Sequence, residues 1–163
     1  MVLILSACSK DEKKISLIEE KSQNLQMIEI YNEGIEELNR GDAIYAAKKF
    51  NEAEILFPQS DWAPKSALMA AYSYYKQDYY GDVVAELDRF IRVYPNHKDL
   101  PYAYYLLGVA YYEQIVDEKK DLQSIVMAKN TFNNLLKKYP NTEYAIAAEF
   151  KLLRIYDIIA SNE

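Results

Sequence analysis

One cysteine, one histidine and four glycines are all that 163 residues contain of these types, and each scarcity excludes something. A lone cysteine, Cys8, permits no disulfide within the chain. The lone histidine, His97, sits in a polar turn with no second titrating group at ligand or catalytic spacing. With so little glycine there is no Gly-rich phosphate loop, and no serine stands in a nucleophile context. Positive charge is short as well. Nineteen Lys and Arg against 25 Asp and Glu leave a formal net charge of −6, so the basic footprint of a nucleic-acid binder is missing. No apolar run approaches the roughly 20 residues of a membrane-spanning helix. The expectation is a protein without catalysis, cofactor, metal or nucleic-acid partner.

What is present in excess is tyrosine, 16 residues, in a chain that is half apolar and therefore able to bury a core. At the front, Leu5-Ser6-Ala7-Cys8 resembles the lipobox of bacterial lipoproteins. Small residues there let a signal peptidase reach the bond before a cysteine that becomes lipid-modified. Residues 1–7 thus read as the remnant of a signal peptide whose charged and most apolar parts are missing. Cys8 reads as the lipidation site, and 8–23 as a flexible polar tether.

From residue 24 onward apolar positions recur at helical spacing and nowhere alternate as in strands. Helices are expected at about 24–39, 43–57, 61–76, 82–94, 99–115, 123–139 and 142–160. All five prolines fall in junctions or first helical turns, where they are tolerated, and not in helix interiors, where each costs about 3 kcal/mol. Arg40-Gly41-Asp42 reads as a turn inside a hairpin, with glycine left-handed and aspartate capping the next helix. Pro58, Pro95 and Pro140 stand 37 and 45 residues apart, each following an aromatic. With Gly34, Ala46, Phe50 and Ala53 ahead of Pro58, this is the small–small–aromatic–small–proline frame of tetratricopeptide repeats. The expected fold is all-α, a right-handed solenoid of stacked antiparallel helix pairs over residues 24–163. Its repeats occupy about 24–58, 61–95 and 99–140, the third with roughly eight extra residues around 116–123. A single further helix at 142–160 has no partner, and its apolar face from Ile146 through Ile155 to Ile159 would be bare. The expectation is that the natural protein continues past Glu163.

In stacked hairpins the first helix of each unit lines a concave groove. If Gly34, Ala71 and Gly108 share one register, the groove holds Tyr31 in the first unit. It holds Leu68, Tyr72 and Tyr75 in the second, and Tyr102, Tyr105 and Tyr112 in the third. Tyrosine combines apolar area with a hydroxyl at low entropic cost, which suits binding of extended or aromatic-ended peptides. The same spacing also suits plain stacking between repeats.

The stretch from Ala71 to Ile115 carries a more specific resemblance. Its Tyr74-Tyr75-Lys76, Asp88-Arg89-Phe90-Ile91-Arg92, Pro95-x-His97 and Tyr102-x-Tyr104-Tyr105-x-x-Gly108 resemble the BamD (ComL/YfiO) family of outer-membrane assembly lipoproteins. The long third repeat, followed by Ala128, Phe132 and Tyr139-Pro140, is similar too. The resemblance implies a non-enzymatic lipoprotein held at the periplasmic face of the outer membrane by a covalent lipid on Cys8. It implies binding of unfolded outer-membrane β-barrel proteins and their delivery to BamA, with other assembly-complex subunits as partners. The alternative is another helical-repeat envelope lipoprotein, coordinating cell division or peptidoglycan synthesis through protein contacts.

Overall fold

The computed structural model describes the backbone of residues 10–117 and 122–161, and the side chains of 22–115 and 123–161. The lipobox, Cys8 and the centre of the third-repeat insertion lie outside the described residues. Among those described there are seven helices: α1 (Lys10–Arg40), α2 (Ala43–Leu56), α3 (Ala63–Tyr75), α4 (Tyr80–Val93), α5 (Leu100–Asp117), α6 (Leu122–Lys138) and α7 (Glu143–Ala160). Each packs on its sequence neighbour, and α7 also reaches back to α5. This is an all-α stack of antiparallel pairs, as the repeat spacing requires.

The punctuation follows local chemistry. Gly41 takes the left-handed backbone, φ 87°, that ends α1, and its N–H donates to the Leu38 carbonyl. Asp42 then caps α2 by accepting from the Tyr45 amide at 2.9 Å. Thr142 caps α7 in the same way, accepting from the Ala145 amide. Between α3 and α4 the left-handed residue is Asp78, φ 60°, not the nearby glycine. Aspartate tolerates that region, and its carboxylate accepts from the Tyr80 hydroxyl at 2.8 Å. Gly81 therefore lies inside α4.

Hairpin closure rests on one contact made twice. The ring of Phe50 lies against Gly34, where an added Cβ would come within 2.8 Å of it; Phe132 lies against Gly108 at 2.4 Å by the same measure. Both rings are fully buried. In the second unit Ala71 and Leu87 occupy the matching stations, an aliphatic version of the same joint. Three core clusters result, each spanning a hairpin and the first helix of the next.

Two expectations need correction. The run 8–23 reads as a tether, yet α1 begins at Lys10. Residues 10–23 lack Pro and Gly and are half Lys and Glu, both cheap in a helix. A polar run predicts the absence of a buried face, not the absence of a helix. On α7 the bare face is not the one that includes Ile155. That residue is fully buried with Ala148 and Leu152, and Ile159 is half-buried. The exposed stripe runs one position over, through Ile146, Phe150 (67% exposed), Leu153 (61%) and Tyr156.

A methyl group at Gly108 should destabilise the chain by about 1–3 kcal/mol, because Phe132 has no free space to yield. At Gly81 nothing lies within 4 Å of the added carbon, so Gly81→Ala should be neutral or gain up to about 0.5 kcal/mol. Urea unfolding followed by circular dichroism checks both.

Candidate functional site

The first helices α1, α3, α5 and α7 supply the surface on which the candidate residues stand, and the structure sorts those residues into two sets. Tyr31 and Leu68 are interior, 8% and 7% exposed, and do not line a groove. Tyr31 packs edge-on to Phe50 and to Trp62, both with ring centroids at 5.1 Å. Leu68 belongs to the core shared by α3, α4 and α5. Both residues stand three positions before the small residue of their helix, a station that faces the following hairpin. The lid on Tyr31 is Trp62, from the proline-led phrase Phe57-Pro58-Gln59-Ser60-Asp61-Trp62. Lys65 sits 4.3 Å from its indole ring.

Tyr72, Tyr75, Tyr102, Tyr105 and Tyr112 are half-buried; the first four lie close enough to influence one another's phenols, and Tyr112 stands two turns beyond Tyr105 on α5. Tyr144, from the third copy of the proline-led phrase, joins them. Its ring lies 5.6 Å from Tyr102 and 5.9 Å from Tyr105. Tyr105 rests in turn on the buried Phe132, 6.3 Å away, repeating the Phe50–Tyr31–Trp62 arrangement with more exposure. Burial pushes the Tyr102 phenol up to about 12, with lesser contributions from Tyr72, Tyr144 and Tyr75. Tyr75 is raised by burial first, then by Glu113, Tyr105, Asp78 and Tyr72. Tyr144 is raised by burial and then by Glu143 and Asp99. These mutual influences and ring contacts join the tyrosines into a face over α3, α5 and α7.

That face ends in a charged groove of about 490 Å³, lined by Tyr112, Ala147, Phe150, Lys151 and Arg154. The Lys151 ammonium lies 4.2 Å from the centre of the Tyr112 ring and 3.3 Å from a Glu113 carboxylate oxygen. Arg154 is exposed and, among the described residues, has no ion-pair partner. An exposed aromatic, a ring with a cation over it and an unpaired guanidinium can take an apolar side chain together with a negative group. A second recess, of about 300 Å³, is lined by Gln23, Asn24 and the Leu56–Ser60 turn, and offers neither charge nor tyrosine.

Sequence reasoning missed Trp62, Tyr144, Glu113, Phe150, Lys151 and Arg154. Trp62 and Tyr144 were within reach, since both stand four residues after a junction proline. The Lys151–Glu113 pair was not, because it depends on α7 crossing back over α5. Elsewhere, the His97 ring accepts from the Asp99 amide at 3.2 Å and lies edge-on to Phe90. Among the described residues no three His, Cys, Asp or Glu gather to hold a metal, and no helix is long and apolar enough to cross a membrane.

The profile of the YfiO family, described as outer membrane lipoprotein, matches residues 23–163. The chain belongs to this family. Among YfiO relatives, the outer membrane protein assembly factor BamD of Caulobacter vibrioides is 34% identical over 160 residues, which is 98% of this chain and 51% of the relative. The protein of the same name from Rickettsia prowazekii is 34% identical, covering 82% of this chain and 53% of its own. That of Neisseria meningitidis serogroup B is 29% identical, covering 99% and 64%. The chain thus spans about half the length of the first two curated relatives. In fold it is similar to the first tetratricopeptide-repeat domain of human RPAP3, with a TM-score of 0.60 at 17% identity over 83% of this chain and 93% of that one. The YfiO helices are therefore tetratricopeptide-like, as the proline spacing predicts.

Between pH about 10 and about 12 the folded chain keeps on Tyr102 a proton that the unfolded chain has lost, so stability falls across that window. Tyr102→Phe should make the fall shallower while leaving neutral-pH stability nearly unchanged. Urea midpoints on either side of the window measure it, and an equal fall in the variant assigns the effect to another phenol.

Proposed function

We propose that this chain is the peptide-receiving part of a non-catalytic outer-membrane protein assembly factor. It binds segments of unfolded outer-membrane β-barrel proteins along the tyrosine face and helps pass them to BamA, alongside other assembly-complex subunits. A covalent lipid on Cys8 would hold it at the periplasmic face of the outer membrane. The observation that carries the reading is the continuous half-buried tyrosine face that ends in the Tyr112–Phe150–Lys151–Arg154 groove. The assembly-factor name of the relatives supports it, and favours it over a coordinating role in cell division or peptidoglycan synthesis.

The chemistry of the face matches such a client. An extended chain presents alternating side chains and unpaired backbone N–H and C=O groups. Phenol hydroxyls can answer those polar groups without imposing one register, and the rings supply apolar area for whichever residue faces them. At the groove, an aromatic side chain fits between Tyr112 and Phe150. A terminal carboxylate then meets Arg154 and Lys151, which makes the groove a reader of aromatic chain ends.

Phe150 and Arg154 are exposed, so substituting them tests binding with little risk to the fold. Phe150→Ser and Arg154→Glu should each weaken binding of a short peptide ending in an aromatic residue by about tenfold or more, the size of a hot-spot loss. Arg154→Glu should matter less when the peptide end is amidated. Fluorescence anisotropy reads both, and equal affinity in all three proteins would remove the groove from the binding site. For the anchor, mass spectrometry of the mature amino terminus should find a diacylglyceryl cysteine at Cys8.

A further inference from the structure

The hairpins of this stack meet mostly through apolar packing, and the Lys151–Glu113 pair that joins α7 to α5 is a single ionic contact. Between α2 of the first repeat and α4 of the second lies a polar cluster built around Arg89. Its guanidinium forks onto Glu54, donating to the two carboxylate oxygens at 2.8 and 2.7 Å. It also donates to Glu86 at 2.8 and 3.1 Å and to the Asn51 carbonyl at 3.3 Å. Asn51 in turn donates to Glu86 at 2.8 Å, and the Tyr94 hydroxyl donates to Glu54 at 2.7 Å. Glu54 is only 6% exposed. The backbones of α2 and α4 scarcely approach one another, so these long side chains span the joint.

The cluster is particular to this joint. One repeat on, the stations of Asn51 and Glu54 are held by Asp88 and Ile91, and those of Glu86 and Arg89 by Thr131 and Asn134. Among the described residues no ion pair links α4 to α6. Apolar packing is non-directional and tolerates small rotations, whereas a planar guanidinium satisfied on two carboxylates fixes direction as well as distance. A buried ionic cluster is weak evidence for stability, since apolar residues of equal volume often do as well. Its best-attested use is to specify one arrangement among several.

We propose that Arg89 is a positioning residue, setting the angle between the first and second hairpins and so aligning the α1 end of the concave surface with the tyrosines of α3. Its consequence for peptide binding rests on the function proposed above; its consequence for geometry does not. Arg89 touches no part of the tyrosine face itself. It acts through α4, whose hairpin mate α3 carries Tyr72 and Tyr75.

The test uses the full chain with Cys8→Ser and spin labels at Lys48→Cys on α2 and Ala85→Cys on α4, both exposed positions. Arg89→Met with Glu54→Gln removes the most buried pair while keeping volume, and Glu86, the remaining carboxylate, keeps its hydrogen bond from Asn51. Arg89→Lys keeps the charge but loses the fork. Pulsed electron resonance should give a label distance distribution about twofold broader in the double variant and intermediate broadening in Arg89→Lys, with helicity unchanged in both. A distribution in the double variant as narrow as the parent's, at the same centre, overturns the proposal. If the competent fraction falls to about a tenth, affinity for the aromatic-ended peptide falls about tenfold. A broadened joint with unchanged peptide affinity removes the link to binding. A parent chain that binds no peptide sinks the functional reading instead, and leaves the distance measurement to decide the geometry.

Discussion

Everything in this structure depends on how closely two helices of a hairpin can approach, and in the first and third hairpins a ring pressed against a glycine backbone sets that approach. At Gly34 and Gly108 there is no room for even a methyl group beside the phenylalanine. Close approach brings the aromatic of the second helix under the first. The tyrosine three residues before the glycine can then stack on it, and the aromatic four residues after the junction proline can close over that tyrosine. The chain builds this column twice, as Phe50–Tyr31–Trp62 and as Phe132–Tyr105–Tyr144.

The two columns differ in how far they are sealed, and the proposed binding role rests on the difference. In the first, Trp62 completes the enclosure and Tyr31 is core. In the third repeat the same stations leave Tyr105 and Tyr144 half open, next to Tyr102, Tyr72 and Tyr75. One packing device therefore makes interior at one end of the stack and a half-open aromatic surface, the one proposed to bind peptide, at the other. The phrase that punctuates the repeats is part of that surface, because its aromatic is Tyr144. Tyr94, another aromatic of the phrase, instead reaches Glu54 and completes the cluster around Arg89.

Periodicity made the hairpins legible. It places Gly34 over Phe50, puts prolines at joints and identifies the rows that face inward. It does not say what covers a row, so Tyr31 and Leu68 read as groove when Trp62 and the α4–α5 core had already enclosed them. The same limit misjudged α7, where Ile155 and Ile146 are equally apolar and only the position of α5 and α6 decides which is buried. Lys151 beside Glu113 was illegible for a stronger reason: the pair is separated by 38 residues and exists because α7 crosses α5. Polar sequence also hid the length of α1, since helix propensity and burial are independent properties.

That length changes the mechanics of the amino-terminal end. The turn after α2 lies beside Gln23 and Asn24, so α1 extends roughly fourteen residues further than its hairpin mate, about 20 Å at the helical rise. A coil of that length wanders, and its free end explores a hemisphere. A helix behaves as a strut with a nearly fixed reach and heading. Under the acylation of Cys8 proposed above, that strut would set the reach between the lipid and the tyrosine face, where a coil would leave it to drift.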